Sequence, residues 1–288
     1  MSRIVFVNGV FLPYEEARIP IMDRGFLFAD GVYEVACVLD GRLVDNEAHL
    51  ARLERSLGEI RIANPFSPAE WTRLEEELVQ RNHLEEGLVY MQVTRGVAER
   101  DFGFPSDARP TAIMFTQPKV IRHSAAAEAG IKAVTVEDIR WKRRDIKSVA
   151  LLAQVLAKQA AVEAGAGEAW MVEDGFVTEG SSSTAFIVTP DGRLVTRPLS
   201  NAILPGITRV AVMRLAAEAQ IRVEERLFSV AEAEHAAEAF ITSASSLVMP
   251  VVSLDGKPIG TGRPGPIARR LRELYIEEAL RPASAAAA

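Results

Sequence analysis

Tight turns between short apolar runs constrain the fold of this chain more than any other feature. An Asn-Gly or Asp-Gly pair readily adopts the positive φ angles of a two-residue hairpin turn, so each pair predicts two antiparallel strands. Helical patterns separate some of these hairpins, but no regular alternation of strand and helix is visible. The sequence therefore predicts an α+β fold. The turns stand at Asn8-Gly9, Asp40-Gly41, Asp174-Gly175, Asp191-Gly192 and Asp255-Gly256.

The length of the chain and a change of pattern near residue 118 predict two domains. A chain of 288 residues exceeds a typical single domain. Gln117-Pro118 ends the patterned first part and opens a stretch without periodicity. We predict a small N-terminal domain over residues 1–117, an interdomain linker over 118–124 and a larger, β-rich C-terminal domain over 125–288. The alanine-rich tail at 283–288 has low complexity, and we expect it to be disordered.

The composition excludes several classes of function. The formal net charge is −6, and no run of like charges suggests a nucleic-acid surface. Cys37 is the only cysteine, which excludes an internal disulfide and fits a reducing cytoplasm. The four histidines lack metal-ligand spacing, and no segment has the ~18 apolar residues of a membrane span. We therefore expect no metal, no nucleic acid and no membrane among the partners.

The most suggestive segment is strongly basic and ends at Lys147. From Val149 onward the apolar residues recur every three or four positions, which predicts a helix with one buried face. Lys147 precedes this helix, and its cationic neighbours would disfavour its ammonium form. This setting suits a lysine that forms a Schiff base, although a solvated basic turn would have the same sequence. The cations are Arg140, Lys142, Arg143, Arg144 and Lys147, and the apolar positions are Val149, Leu152, Leu156 and Ala160.

Three later segments offer hydrogen-bond donors to an anion. Glu179-Gly180-Ser181-Ser182-Ser183 follows a predicted strand, Gly206-Ile207-Thr208 opens a predicted helix, and Ser243–Ser246 ends a strand. Backbone N–H groups and hydroxyls at such positions bind phosphate. Taken singly, the first reads more simply as a surface loop and the second as an ordinary helix start. Together with a lysine and an acid, they are the parts that a pyridoxal phosphate site needs.

Local signals also predict two helix starts and a long loop. Ser67-Pro68-Ala69-Glu70 is a capping box with proline at the first helical position, and it predicts a helix to about His83. Asn46 predicts the N-cap of a helix through Ile60. Residues 96–105 form a loop with charged residues and two aromatic rings, and long ordered loops are often functional.

Four motifs occur in the order and spacing of a known family: Asp30–Glu34, Asp145–Ser148, Thr178–Ser183 and Leu204–Arg209. They resemble the class IV aminotransferases, and most closely those that act on D-amino acids. The resemblance implies an α+β, two-domain fold-type IV enzyme with a small N-terminal α/β domain and a larger C-terminal pseudo-barrel domain. It also implies pyridoxal 5′-phosphate as cofactor and a homodimer with the active site at the subunit interface. The implied reaction is ping-pong amino transfer between a D-amino acid, such as D-alanine, and a 2-oxo acid, such as 2-oxoglutarate.

The resemblance implies a role for each matching position. Lys147 forms the Schiff base with the cofactor, Glu179 pairs with its ring nitrogen and Leu204 packs on the ring. Tyr33 and Arg100 bind the substrate carboxylate, with Arg100 reaching in from the partner subunit. The other implied contacts are Ser182 to the cofactor, Ser181 to the substrate, and Arg52, Ile207, Thr208, Ser243 and Ala244 to the phosphate. The remaining cations of the basic segment receive no role, so we expect most of them to be solvated or interfacial.

Two positions depart from the family pattern. The D-amino-acid enzymes usually carry Arg-x-His in the carboxylate-binding loop, whereas this chain has Arg100-Asp101-Phe102. Losing a charge-assisted hydrogen bond costs roughly 1.5–3 kcal/mol, so with Phe102 in the substrate site we expect weaker carboxylate binding or a shifted substrate range. Ala244 stands where a hydroxyl residue is usual, and its backbone N–H can still serve the phosphate.

The residues leave several alternatives open. They are an L-branched-chain aminotransferase, an (R)-selective amine aminotransferase, an aminodeoxychorismate lyase and a dimeric phosphate-binding protein without catalysis. Val32-Tyr33-Glu34-Val35 differs from the Phe-Glu-Gly common in the branched-chain enzymes and from the Phe-Glu-Thr expected in the lyase. An intact Lys147–Glu179 pair argues against binding alone, because binding needs neither role.

Overall fold

The computed structural model describes residues 2–281, which form two compact units. The first unit runs to Val120 and also contains Ile146–Ala150. The second unit contains Ile121–Asp145 and the chain from Leu151 onward. The segment with Lys147 thus belongs to the first unit, although the chain on both sides of it belongs to the second. The tail at 283–288, which we expected to be disordered, lies outside the described residues.

The first unit is built on a six-stranded antiparallel sheet with strand order β2-β1-β6-β5-β3-β4. Asn8 and Gly9 take φ angles of 47° and 94°, which confirms the predicted hairpin turn between β1 and β2. Asp40-Gly41 joins β3 to β4 in the same way. The strands are β1 Ile4–Val7, β2 Val10–Pro13, β3 Gly31–Leu39, β4 Arg42–Val44, β5 Glu86–Thr94 and β6 Thr111–Pro118.

Helices of this unit pack on the sheet through one apolar core. The fully buried Trp71, Leu53 and Met91 belong to that core. Ser67 N donates to the Glu70 carboxylate at 2.8 Å and Ser67 Oγ accepts from Glu70 N, which confirms the capping box. The predicted N-cap Asn46 was wrong by one residue, because Asp45 occupies that position. The helices are α1 Arg24–Phe28, α2 Asn46–Glu59 and α3 Pro68–Arg81, with a 3-10 turn at Tyr14–Glu16.

The second unit is built on a nine-stranded mixed sheet. Its strand order is β12-β11-β10-β13-β14-β7-β8-β9, and β15 pairs with β14. The strands are β7 Ile131–Glu137, β8 Glu168–Glu173, β9 Phe176–Gly180, β10 Thr184–Val188, β11 Leu194–Thr196, β12 Val223–Glu225, β13 Glu238–Ser243, β14 Leu247–Leu254 and β15 Lys257–Pro258. The mixture of helices and strands in both units confirms the predicted α+β class.

Two helices of the second unit connect parallel strands. Helix α5 joins β7 to β8, and α6 joins β11 to β12; both strand pairs are parallel. The sequence did not predict these two parallel pairs, because single strands between helices carry no sequence sign of their direction. The helices are α4 Ala125–Ala129, α5 Leu152–Glu163, α6 Ile207–Glu218, α7 Val230–Glu234 and α8 Pro266–Ala279.

The expected buried face of the helix after Lys147 was also wrong. Helix α5 begins at Leu152, and this residue is 72% exposed. Leu156 is exposed as well, whereas the buried residues of α5 are Ala157 and Ala161. Spacing predicted the helix correctly, but the larger apolar side chains lie on its outer face. Among residues 2–281, no helix is long and apolar enough to cross a bilayer.

Candidate active site

Main-chain pairing places Lys147 beside strand β3. Strand β4 pairs only with Cys37–Leu39, which leaves the start of β3 open on that edge. Residues 147–149 pair with this open edge: Tyr33 N donates to Lys147 O and Val149 N donates to Gly31 O, each at 3.0 Å. The position of the lysine is therefore set by the strand that carries Tyr33.

The side chains of Lys147 and Tyr33 meet on this strand. Lys147 Nζ lies 4.1 Å from the centroid of the Tyr33 ring. That ring stacks on Tyr90, and Tyr90 stacks on Phe115, with centroid separations of 5.6 and 4.7 Å. Burial raises the pKa of Tyr90, so this phenol stays neutral. Three adjacent strands thus hold the ring that the lysine faces.

Arg52 of α2 is held by the buried carboxylate of Glu34. Arg52 Nε and Nη2 donate to the two oxygens of Glu34 at 2.7 and 2.8 Å, and His49 Nδ1 lies 2.8 Å from the same carboxylate. Burial alone would raise the pKa of Glu34, but Arg52 and His49 hold it well below its usual range. Arg52 is therefore a fixed cation, and sequence reasoning assigned no role to the two residues that fix it.

The loop that carries Arg100 and Phe102 is anchored by Arg95, the residue directly before it. Arg95 donates to both carboxylate oxygens of Asp30 at 2.7 and 2.9 Å. Phe102 is 78% exposed, and its ring contacts Phe28. The loop presents Arg100 and Phe102 at the surface of the first unit while its base is held by an ion pair.

Glu179 lies buried in β9 of the second unit. Leu204 N donates to its carboxylate at 3.1 Å, and Arg140 donates to it through a short hydrogen bond. Burial raises the pKa of Glu179, and Arg140 opposes that rise. A buried carboxylate with a cationic partner is suited to accept a hydrogen bond from a ring N–H group.

Two cations of the basic segment are buried, so the prediction that most are solvated or interfacial was wrong for them. The side chains of Arg140 and Arg144 are 5% and 3% exposed. Both pair with Asp138, and Arg144 also pairs with Glu173. These carboxylates neutralise the cations, so the uncompensated positive cluster expected around Lys147 is not formed by them. Sequence reasoning missed Arg140 because its partner Glu179 is distant in the chain.

The turn Ser181–Ser183 after β9 is held by hydrogen bonds to a buried carboxylate. Buried Glu168 accepts hydrogen bonds from the hydroxyls of Ser181 and Ser183 and from Ser181 N. A side chain at Gly180 would strike Ser183 Oγ, 2.1 Å from the ideal Cβ position, so a larger residue there would displace this hydroxyl. Ser182 is exposed. Two of the three hydroxyls that the sequence offered to an anion are thus committed to Glu168.

The N-terminus of α6 fits a phosphate. No side chain caps this helix at Gly206, so the first N–H groups, at Ile207 and Thr208, receive no side-chain cap. A Cβ at Gly206 would lie 2.8 Å from Thr184 Oγ1, which shows how closely the chain approaches β10. Thr184 pairs across the sheet with Thr242, whose buried Oγ1 has no hydrogen-bond partner among the described residues. An uncapped helix start near an orphaned hydroxyl can accept a phosphate group.

The turn between β13 and β14 contains Ser243 and Ala244. Ser243 Oγ lies 2.7 Å from Ser246 Oγ and 3.3 Å from Ser245 Oγ. The hydroxyl missing at Ala244 is therefore followed by two others that bond to Ser243. Within each unit the structure brings predicted residues together: Lys147 with Tyr33 in the first, and Glu179 with Leu204 in the second.

Comparison with known proteins identifies relatives over nearly the whole chain. The family model described as amino-transferase class IV matches residues 31–254. A D-alanine aminotransferase from Staphylococcus aureus (strain N315) is 42% identical over 276 residues, which cover 95% of this chain and 98% of that protein. One from Bacillus licheniformis is 40% identical over 268 residues, covering 93% and 94%.

Solved structures of similar proteins share the fold. A T.th. branched-chain amino acid aminotransferase with pyridoxamine 5′-phosphate superposes with a TM-score of 0.91 at 27% identity, covering 98% of this chain and 96% of the other. A branched-chain enzyme from Thermobaculum terrenum (M3 mutant) gives 0.84 at 27% identity, covering 96% and 93%. The predicted fold-type IV architecture is confirmed.

Proposed function

Because this chain belongs to the class IV aminotransferases, we propose that it transfers an amino group between a D-amino acid, such as D-alanine, and a 2-oxo acid, such as 2-oxoglutarate. It is a pyridoxal 5′-phosphate enzyme, as the family requires. The branched-chain enzymes share its fold at 27% identity, whereas the D-alanine aminotransferases reach 42%. The higher identity favours the D-amino-acid reaction over the branched-chain alternative.

The contact between Lys147 and Tyr33 is the observation that carries this proposal. It places a primary amine next to the residue proposed to bind the substrate carboxylate. In an α-amino acid the carboxylate and the acidic hydrogen share one carbon, so a base near the carboxylate site is also near that hydrogen. A general base must come within hydrogen-bond reach of the proton that it removes.

The cofactor contacts that we propose follow from the residues of each unit. In the second unit the α6 N-terminus, with Ile207 and Thr208, and the turn with Ser243 and Ala244 would hold the phosphate. Glu179 would accept the ring N–H, and Leu204 would pack on the ring, since its backbone N already bonds to Glu179. In the first unit Arg52, fixed by Glu34, would supply a further cation to the phosphate.

When bound, pyridoxal phosphate supplies a ring that accepts the electron pair left when the Cα–H bond breaks. Lys147 would bind the cofactor covalently through Nζ and would be released when the amino group of the substrate takes its place. The freed amine would take the proton from the substrate Cα and pass it to the cofactor in one half-reaction, and in the other it would carry a proton back to the product Cα. Glu179 would keep its negative charge against the ring nitrogen, with Arg140 stabilising that charge.

The substrate contacts that we propose lie mainly in the first unit. Tyr33 and Arg100 would bind the carboxylate, and Phe102 would line the site without a hydrogen bond. Ser181 and Ser182 would face the substrate and the cofactor, although the Ser181 hydroxyl already donates to Glu168. Phe102 does not supply the imidazole donor of the family pattern, and the loss of a charge-assisted hydrogen bond costs roughly 1.5–3 kcal/mol. We therefore expect the dissociation constant of the carboxylate to rise about tenfold or more.

We also propose a homodimer in which Arg100 completes the partner's site. The surface around the Arg100 loop supports this, because several large apolar side chains are exposed there, which is typical of an interface. They are Ile19, Ile21, Phe26, Val97, Phe102 and Phe104. Light scattering on the purified protein should give about twice the mass of 31.4 kDa; a monomer that is fully active would contradict the shared site. A cytoplasmic location stays a prediction.

Separate half-reactions test the proposed activity. The holoenzyme is mixed in turn with D-alanine, L-leucine and (R)-1-phenylethylamine, and the absorbance of the bound cofactor is followed over time. We expect D-alanine to bleach the absorbance fastest. Fast reaction with L-leucine and none with any D-amino acid would overturn the proposal in favour of the branched-chain reaction.

A further inference from the structure

We propose that Phe28 is a positioning residue for Arg100, and that Phe102 acts with it. This inference rests on the proposed function, in which Arg100 binds the substrate carboxylate. The ring at position 102 then has a second role: it does not bond to the substrate, but it holds the guanidinium that does.

The geometry of the three side chains is specific. Arg100 Cζ lies 5.3 Å from the centroid of Phe28 and 5.7 Å from that of Phe102. The two rings are 5.4 Å apart and inclined at 44° to each other. Both distances fall within the range in which a ring face attracts a cation. Two rings from separate parts of the chain therefore contact one guanidinium.

Phe28 is itself held firmly, which a positioning residue requires. It is the last residue of α1, and Asp23 caps the start of that helix by accepting from Gly25 N at 2.8 Å. Thr94 Oγ1 also donates to Asp23, at 3.0 Å. Ala29 ends the helix in the left-handed region with φ 55°. The ring of Phe28 thus projects from a short helix that is fixed at both ends.

Arg24 connects this helix to the loop that carries Arg100. Its guanidinium lies 4.8 Å from the Phe28 centroid, and its Nε donates to Asp30 at 2.8 Å. Its Nη1 donates to the backbone oxygen of Asp101 at 2.5 Å. The backbone beside Arg100 is therefore tied to the same helix whose ring contacts the Arg100 side chain.

A second aromatic contact holds the far side of the loop. Arg95 Cζ lies 3.7 Å from the centroid of Phe104, and Arg61 Cζ lies 4.8 Å from it. Arg95 also pairs with Asp30, the same carboxylate that accepts from Arg24. The loop is anchored on both sides of Arg100, so its exposed guanidinium has few alternative positions. In this chain a carboxylate would be bound by a guanidinium that is oriented before the ligand arrives.

Substitution of Phe28 tests this inference on the holoenzyme. Phe28→Leu removes one ring, and we expect the competitive inhibition constant of acetate and the KM for D-alanine to rise about threefold to fivefold, with kcat unchanged. Phe28→Tyr keeps the ring and should restore both constants. Phe11→Leu is the matched control, because Arg81 stacks on Phe11 at 4.7 Å in the same unit; it should leave both constants unchanged.

A double-mutant comparison separates positioning from a general structural effect. In the Arg100→Ala background, Phe28→Leu should produce no further rise in either constant. If Phe28→Leu weakens acetate binding equally with and without Arg100, or not at all, the inference is wrong. Should Phe28→Leu fail to fold, Phe102→Leu at the exposed ring must give the same pattern. If the wild type does not react with D-alanine, the proposed function fails, while the dissociation constant of acetate, measured by direct titration of the holoenzyme variants, still decides the role of Phe28.

Discussion

Lys147 is the single side chain whose loss should stop the reaction. Lys147→Ala removes the amine that we propose to transfer the Cα proton, so turnover should fall by about 10²–10⁴-fold. The absorbance of the covalently bound cofactor should be lost as well, and added methylamine should restore part of the turnover. Lys158→Ala, at an exposed lysine that bonds to Gly167 O, is the control. Undiminished turnover of Lys147→Ala without added amine would contradict the assignment.

Arg140 should lower the pH at which Glu179 becomes ionised. Burial raises the pKa of Glu179 and Arg140 opposes that rise, so Arg140→Met should raise this pKa further. Glu179 must be ionised in its proposed role, and the acidic limb of the kcat/KM profile should therefore move to higher pH. Arg143→Met changes a half-buried cation of the same segment that pairs with Asp145 instead. An unmoved limb in Arg140→Met would remove Arg140 from the mechanism.

At the same scale, the sequence points more readily to side chains that stand in a recognisable motif than to side chains that work through a distant partner. Lys147 and Glu179, for which we propose roles, each stand in such a motif. Arg140, Glu168 and Phe28 were missed. Their partners lie on other strands or helices, and those contacts depend on sheet register and helix packing that a short motif does not contain.

Among the helices, α3 depends most clearly on a local signal. Ser67 Oγ and the Glu70 carboxylate satisfy each other's backbone N–H groups. Ser67→Ala should therefore lower the free energy of unfolding by about 1 kcal/mol, measured by denaturant titration. Ser124 precedes α4 without a side-chain cap bond, so Ser124→Ala should have little effect. Equal losses in the two variants would show that the capping bond contributes nothing.

Elements were predictable where the signal is local and failed where it depends on packing. The turn at Asn8-Gly9 and the capping box at Ser67 were confirmed because a few adjacent residues determine the backbone angles. Helix α5 was placed correctly by spacing, yet its face was wrong, since Leu152 and Leu156 are exposed while Ala157 and Ala161 are buried. Periodicity identifies an apolar face, but not whether this chain or another surface covers it.

For the whole molecule, buried Glu75 should make stability depend on pH. Burial raises its pKa to about 8 from 4.5, with the negative charges of Glu34 and Glu76 adding to the rise. Folding then takes up a proton between these two values, so stability falls as pH rises from 4.5 to 8, by at most about 1.4 kcal/mol per pH unit. Below pH 4.5 Glu75 is protonated in both the folded and the unfolded protein, so it no longer lowers the stability.

Glu75→Gln should remove that dependence. The amide carries no charge, and its N–H can donate to Asn46 Oδ1, a buried atom without a partner among the described residues. The unfolding temperature of Glu75→Gln should rise relative to that of the wild type as the pH increases from 5 to 8. At pH 4.5 the two unfolding temperatures should differ little. Glu85→Gln, at an exposed position of the same unit, serves as control. A difference that stays constant across this range would mean that Glu75 is ionised in the folded protein.

The pairing of residues 147–149 with β3 has a consequence for how the protein is made. The ribosome synthesises β3 and its neighbouring strands before it synthesises Lys147. Until residues 147–149 are available, the start of β3 has no partner on one edge. That edge is a place where a foreign strand can attach. The late arrival of the five-residue segment Ile146–Ala150 closes this edge and also delivers the amine that we propose to be reactive, so on this proposal the fold and the catalytic site are completed by the same step.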